Sequence, residues 1–174
     1  MFLVTLAFAP WAAAIGWGGI EPTITTLGQV RERWGPPTKE TRGREEGHDT
    51  IQWIYEGPAA PPGMTRMTVD FGLLQPDGYK RELVRALRLE PKPLIFGRQT
   101  VAEAFGQPDL QGIQDNVPVI VYNAGLFVFF DQQGQTAVLL LFTPPLPPRG
   151  GAGSAPPAPA PAPGAGQGGS APRQ

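Results

Sequence analysis

Val30-Arg31-Glu32-Arg33-Trp34-Gly35-Pro36-Pro37 returns seventy-one positions later as Val101-Ala102-Glu103-Ala104-Phe105-Gly106-Gln107-Pro108. In each copy a valine stands four residues before an aromatic, which puts both on one face of a short helix. A glycine stops that helix, and a proline one or two residues on keeps it from resuming. Repetition of such a segment is the mark of an internal repeat. Threonines precede both copies: Thr26 with Gln29 and Thr100 with Glu103 have the capping-box spacing, which predicts helix starts there.

Downstream of the first stop, residues 39–49 hold no apolar side chain and read as an exposed loop. Period-two alternation then begins. Ile51, Trp53 and Tyr55 share one face, as do Met67, Val69 and Phe71 opposite Arg66, Thr68 and Asp70, and the Gly57–Gly63 stretch joins the two strands. A third run, Glu82 to Glu90, places Leu83, Leu87 and Leu89 in phase, with Arg85 on the same face; its composition would also make a helix, and it reads as a strand by analogy with the repeat. Downstream of the second stop, Val117–Tyr122, Leu126–Phe130 and Ala137–Phe142 are apolar at nearly every position, so their sheet is hydrophobic on both faces. The predicted class is therefore α+β: two tandem units, each a helix followed by a three-stranded antiparallel sheet, over residues 21–92 and 93–143.

A two-residue turn at Ala124-Gly125 would pair Tyr122 with Phe127 and Val121 with Val128. Val119, Val121, Val128 and Phe130 would then face the helix. Ile120, Tyr122, Phe127 and Phe129 would form the opposite face, and these four are the candidate partner-binding residues. A one-residue change in that turn would reassign them.

The chain has 174 residues, with glycine (23) and proline (22) well above ordinary usage. That excess concentrates in residues 144–174, where the only charges are Arg149 and Arg173 and no aromatic occurs. Such a stretch buries too little apolar area to offset its ordering entropy, and it reads as a disordered tail with a polyproline-prone core at Pro157–Pro163. A net charge of −1 gives no basic field for a polyanion, so nucleic acid is not an expected partner. Without cysteine there is no disulfide, thiol nucleophile or thiolate metal site.

Residues 1–20 read as a signal peptide with a short linker, the alternative being a buried N-terminal segment. An apolar run from Phe2 to Ala9 leads to Trp11-Ala12-Ala13-Ala14, although the usual basic start is missing. Gly16-Trp17-Gly18-Gly19 reads as a flexible stretch behind the cleavage point. Pro10 and the glycines interrupt the length a spanning helix needs, so no stable membrane span is expected after signal cleavage. The implied location is periplasmic or secreted.

No catalytic constellation stands out. Both serines, Ser154 and Ser170, lie in the tail, and Asp70, Asp77 and Asp131 read as turn or strand-end carboxylates. His48, the one histidine, stands in Glu45-Glu46-Gly47-His48-Asp49, which has metal-ligand chemistry but reads more simply as a solvated loop. Lys80, Arg81, Arg85, Arg88 and Lys92, interleaved with Glu82 and Glu90, read as a charged strand edge. No cofactor is expected and no catalytic or metal residue is assigned.

Val30, Trp34, Gly35, Pro37, Trp53, Tyr55 and Phe71, echoed by Val101, Phe105, Gly106, Pro108, Tyr122 and Phe130, resemble the SmpA/OmlA (BamE-like) envelope proteins. The tandem arrangement is similar to the secreted β-lactamase-inhibitor-protein fold. The resemblance covers Thr25 to Phe142 and implies a non-enzymatic adaptor of the bacterial envelope that binds another envelope or secreted protein. A secreted enzyme-inhibitor-like protein is the alternative it leaves open; a metal-binding protein using the His48 loop is the alternative from the residues. The lipid-attachment cysteine of the envelope lipoproteins is absent, and the unit is doubled.

Overall fold

The computed structural model describes residues 14–147. Helix α1 (Leu27–Trp34) starts where the capping box predicts. The Thr26 hydroxyl oxygen accepts the Gln29 backbone N–H at 3.4 Å, and Gln29 Oε1 accepts the Thr26 N–H at 2.8 Å. It stops at Gly35, whose φ of 75° suits glycine and whose N–H donates to Arg31 O.

Four strands follow: β1 (Lys39–Glu45), β2 (His48–Glu56), β3 (Met64–Gln75) and β4 (Gly78–Pro91). The order then recurs as helix α2 (Arg98–Phe105), β5 (Leu110–Gln114), β6 (Val117–Tyr122), β7 (Leu126–Phe130) and β8 (Ala137–Phe142). Helix α2 ends at Gly106 as α1 ends at Gly35, but it does not begin at a Thr100/Glu103 box. Its N-cap is Gly97, and the first-turn amide of Arg98 donates to Gln135 O at 3.0 Å, so the β7–β8 loop replaces the threonine.

All eight strands join one antiparallel sheet in the order β1-β2-β3-β4-β8-β7-β6-β5. This corrects the expectation of two helix-then-three-stranded units. Each helix is followed by four strands, the two sheets are continuous, and the molecule is largely β. The seam is short: Leu87 pairs with Phe142, Arg88 with Leu141 and Leu89 with Leu140.

The missed strands are the two outer ones. β1 holds five charged residues in seven and is exposed throughout, so it carries no apolar alternation. It exists because its backbone completes the hydrogen bonding of β2, and its charges suit a sheet edge. The basic run lies largely on β4, which β8 flanks only at Leu87–Leu89, so Arg88 is interior to the sheet while Lys80, Arg81 and Arg85 precede the part that β8 covers. Arg85 pairs with Glu45, Arg88 with Asp70 and Lys80 with Asp77. Arg85 fell in phase with the leucines because β4 is bulged there: Asp70 pairs with Ala86 while Phe71 pairs with Val84.

Both helices cover the same face of the sheet. Val30 and Val101, the repeated valines, are fully buried with Trp53, Tyr55, Val69, Phe71, Leu87 and Leu89 from the first half and Ile120, Tyr122, Leu126, Val128, Phe130, Leu140 and Phe142 from the second. One core thus spans both halves, and each fully buried Leu or Phe contributes roughly 1.5–3 kcal/mol. A repeated hydrogen bond locks helix to sheet. Tyr55 Oη donates to Gly35 O at 3.1 Å, and Tyr122 Oη donates to Gly106 O at 3.0 Å.

Residues 14–20 belong to this fold, which corrects the reading of Gly16-Trp17-Gly18-Gly19 as a flexible stretch. Trp17 and Ile20 exchange backbone hydrogen bonds, Trp17 stacks on Trp34 with centroids 5.8 Å apart, and Ile20 is fully buried. Gly18 (φ 60°) and Gly19 (φ 77°) make the turn. A Cβ at either would come within 3 Å of Trp34 or the Arg33 guanidinium. The signal-peptide reading otherwise falls on residues 1–13, and most of the tail on residues 148–174, both outside the described residues. Among the described residues no helix is long and apolar enough to cross a membrane.

Candidate functional site

Side chains alternate along each strand, so the core face leaves a second face opposite the helices. Its members follow from the register. Val119 pairs with Phe129 and Val121 with Phe127, while Phe127 pairs with Leu141 and Phe129 with Leu139. Directly opposed residues of antiparallel strands share a face. Val119, Val121, Phe127, Phe129, Leu139 and Leu141 therefore form one apolar field across β6, β7 and β8, extended at the edge by Leu110, the partner of Val121. Phe127, Phe129, Val121, Leu139 and Leu141 are half-buried, Val119 is buried (8% exposed), and both described helices lie on the other face.

The four candidate residues are divided by this register. Phe127 and Phe129 stand on the open face. Ile120 (3% exposed) and Tyr122 (4%) lie in the core and are not contact residues. The cause is the β6–β7 turn: Tyr122 pairs with Leu126, so the connection is Asn123-Ala124-Gly125, one residue longer than a two-residue turn. That extra residue moves β7 by one position relative to β6. Val119 and Val121, assigned to the helix side, accordingly belong to the open face. Leu139 and Leu141 were not singled out; their signal was alternation in the Ala137–Phe142 run, hidden because both phases are apolar.

The same face of the first half is polar. Thr68 pairs with Arg88, Asp70 with Ala86, Gln52 with Asp70 and Arg66 with Glu90. Asp70 is 3% exposed at mid-strand, which corrects its reading as a strand-end carboxylate. Gln52 Nε2 donates to its Oδ1 at 2.8 Å, and Arg88 Nη1 lies 2.8 Å from its Oδ2, an ion pair without good hydrogen-bond angles. Glu56, Arg66 and Glu90 continue the charged rows. The face is thus apolar on β6–β8 and charged on β2–β4, with Arg88 and Leu141 side by side at the seam.

The remaining candidates have partners within the fold. His48 stacks on Tyr79, with ring centroids 4.3 Å apart. Its neighbour Glu45 is engaged by Arg85, whose hydrogen bond and charge hold that carboxyl below its ordinary pKa. Among the described residues no three His, Asp or Glu side chains converge as a metal-ligand set. Asp131 accepts the N–H groups of Gln135 and Thr136 at 2.9 and 3.2 Å and folds the β7–β8 loop, and the Gln135 bond foremost keeps its carboxyl below the ordinary range. The Lys80 hydrogen bond does the same for Asp77 in the β3–β4 turn.

No protein-family model matches the chain, and no curated protein does. Among solved structures, the chain is similar to the crystal structure of a DUF4309 family protein, YjgB, from Bacillus subtilis subsp. subtilis str. 168. The identity is 12% and the TM-score 0.46, over 72% of this chain and 82% of that one, a likeness too slight to carry an argument about either fold or function.

Proposed function

We propose that this chain is a non-enzymatic binding module of the bacterial cell envelope, periplasmic or secreted, that docks another envelope or secreted protein on the open face of its second half. The observation that supports this reading is the apolar field of Val119, Val121, Phe127, Phe129, Leu139 and Leu141, which neither described helix covers. A contiguous exposed apolar patch on a protein surface commonly marks an interaction site. The aromatic pair is the expected anchor, because large aromatics at the centre of a patch dominate binding energy. The charged rows beside it supply the polar rim that a specific interface has. The resemblance to SmpA/OmlA proteins and the apolar run before Ala14 support the envelope as the compartment.

The test is capture from a fractionated bacterial envelope extract with the chain from Ile15 onward, compared with its Phe127→Ser/Phe129→Ser variant, circular dichroism establishing that both fold. A protein retained by the wild type and lost by the variant supports the reading. Equal capture by both, or none by either, removes its support.

A further inference from the structure

The two edges of the sheet are protected differently. β1 carries Lys39, Glu40, Arg42, Arg44 and Glu45, a mixture that discourages another strand from pairing with it. β5, Leu110-Gln111-Gly112-Ile113-Gln114, carries no charge at all. Four of its five residues are exposed, and Ile113 is 76% exposed. An edge strand keeps half of its backbone N–H and C=O groups directed away from the sheet, and among the described residues no strand pairs with the outer side of β5, which makes it a template for one more strand.

Its setting selects the occupant. Leu110, Gly112 and Gln114 pair with Val121, Val119 and Val117, so the open apolar field runs out to this edge. Asp109 and Asp115 flank the strand, both exposed. Asp109 holds the Asn123 N–H at 2.7 Å with one oxygen and leaves the other unused by it. Arg98, whose Nη1 reaches Gln111 at 3.4 Å, is held on the helix side: its Nε donates to Gly134 O and its guanidinium lies over the Phe130 ring. A second copy of the chain fits poorly. Antiparallel pairing of two β5 strands centred on Gly112 would set Asp109 against Asp115 at both ends.

We infer that β5 accepts an extended strand of the partner protein, with a basic residue at each end and apolar residues at the alternate positions that continue the open face. This deepens the proposed function and rests on it, since the apolar positions are specified by the field on β6–β8. In a seven-residue strand opposite Asp109 to Asp115, positions two, four and six stand beside Leu110, Gly112 and Gln114, and positions one and seven meet the aspartates.

The probe is the acetylated, amidated peptide Lys-Val-Thr-Val-Thr-Val-Lys, followed by amide shifts of the full chain in NMR spectra. The expected result is movement of the Gln111–Gln114 amides. Binding should be at least about fivefold tighter than that of Glu-Val-Thr-Val-Thr-Val-Glu at low salt, a gap that narrows at about 1 M salt. It should also be tighter than for Lys-Thr-Val-Thr-Val-Thr-Lys, and methylating the peptide nitrogens that face β5 should abolish it while methylating the alternate set should not. Equal binding by all three peptides, shifts confined to other strands, or a dimer of the chain alone that Gly112→Pro disperses would each overturn the inference. If the peptide fails while Phe127 and Phe129 still govern envelope capture, the edge is wrong and the face stands; if the peptide binds and those aromatics are irrelevant to capture, the proposed function is wrong and the edge stands as a site of its own.

Discussion

Two tyrosines do the same work in the two halves, each donating from its phenol to the carbonyl of the glycine that ends a helix. Removing either hydroxyl takes away the donor of a part-buried hydrogen bond, so Tyr55→Phe and Tyr122→Phe should each cost about 1 kcal/mol in urea denaturation. Burial pushes the Tyr55 phenol up to about 12. The unfolded phenol ionises near 10, so the stability tied to its neutral form is complete below about pH 10 and is lost as pH rises through the folded value. Tyrosinate absorbance and denaturation midpoints across that window would check it; ionisation of Tyr55 near pH 10 in the folded protein would refute it. Asp70 supplies a second case. Arg88→Ala leaves the buried carboxylate with Gln52 alone and should cost about 1–3 kcal/mol, at the low end because Arg88 is itself exposed, and Asp70→Ala in the same chain should restore part of the loss. Val30, Val101, Trp53 and Phe71 were legible as core from spacing alone. The burial of Asp70 was not, because it is produced by side chains from β2 and β4 that no local pattern announces.

Strands were legible where one face is wet and the other dry. β2 alternates in burial, β3 alternates in residue type over Met67–Phe71 although both of its faces are buried there, and the glycine stops marked the helix ends. β1 has no apolar phase to read, and β5 has only Leu110 and Ile113, on opposite faces. β6, β7 and β8 are apolar in both phases, so their existence could be read but their orientation hung on one loop residue at Asn123–Gly125. The register now makes a comparison possible within β7. Phe130 is a core residue, and Phe130→Ala should cost about 3–5 kcal/mol. The open-face double change Phe127→Ser/Phe129→Ser should cost less than that single one, measured by urea denaturation. A larger loss from the open-face pair would mean that both aromatics are core.

At the scale of the whole molecule, repetition of helix and strands was visible in the sequence, but their fusion into one sheet was not. The seam between β4 and β8 joins residues more than fifty positions apart through three pairs, and no local signal encodes such a contact. Because Leu87, Leu89, Leu140 and Phe142 meet across it in a single core, the two halves should unfold together. Trp53 fluorescence and the amide protection of Val128 should be lost in one transition, and Leu140→Ala should lower both by the same amount, about 2–5 kcal/mol. The same geometry keeps both helices on one side and leaves the other open, on which the proposed function depends. The absence of cysteine allows that openness to be measured directly, by thiol labelling of single-cysteine variants under native conditions. Phe127→Cys, Phe129→Cys and Leu141→Cys should label rapidly, while Ile120→Cys and Val128→Cys should label only on unfolding. Protection of all five would contradict the account, because the face would then be covered and unavailable to any partner.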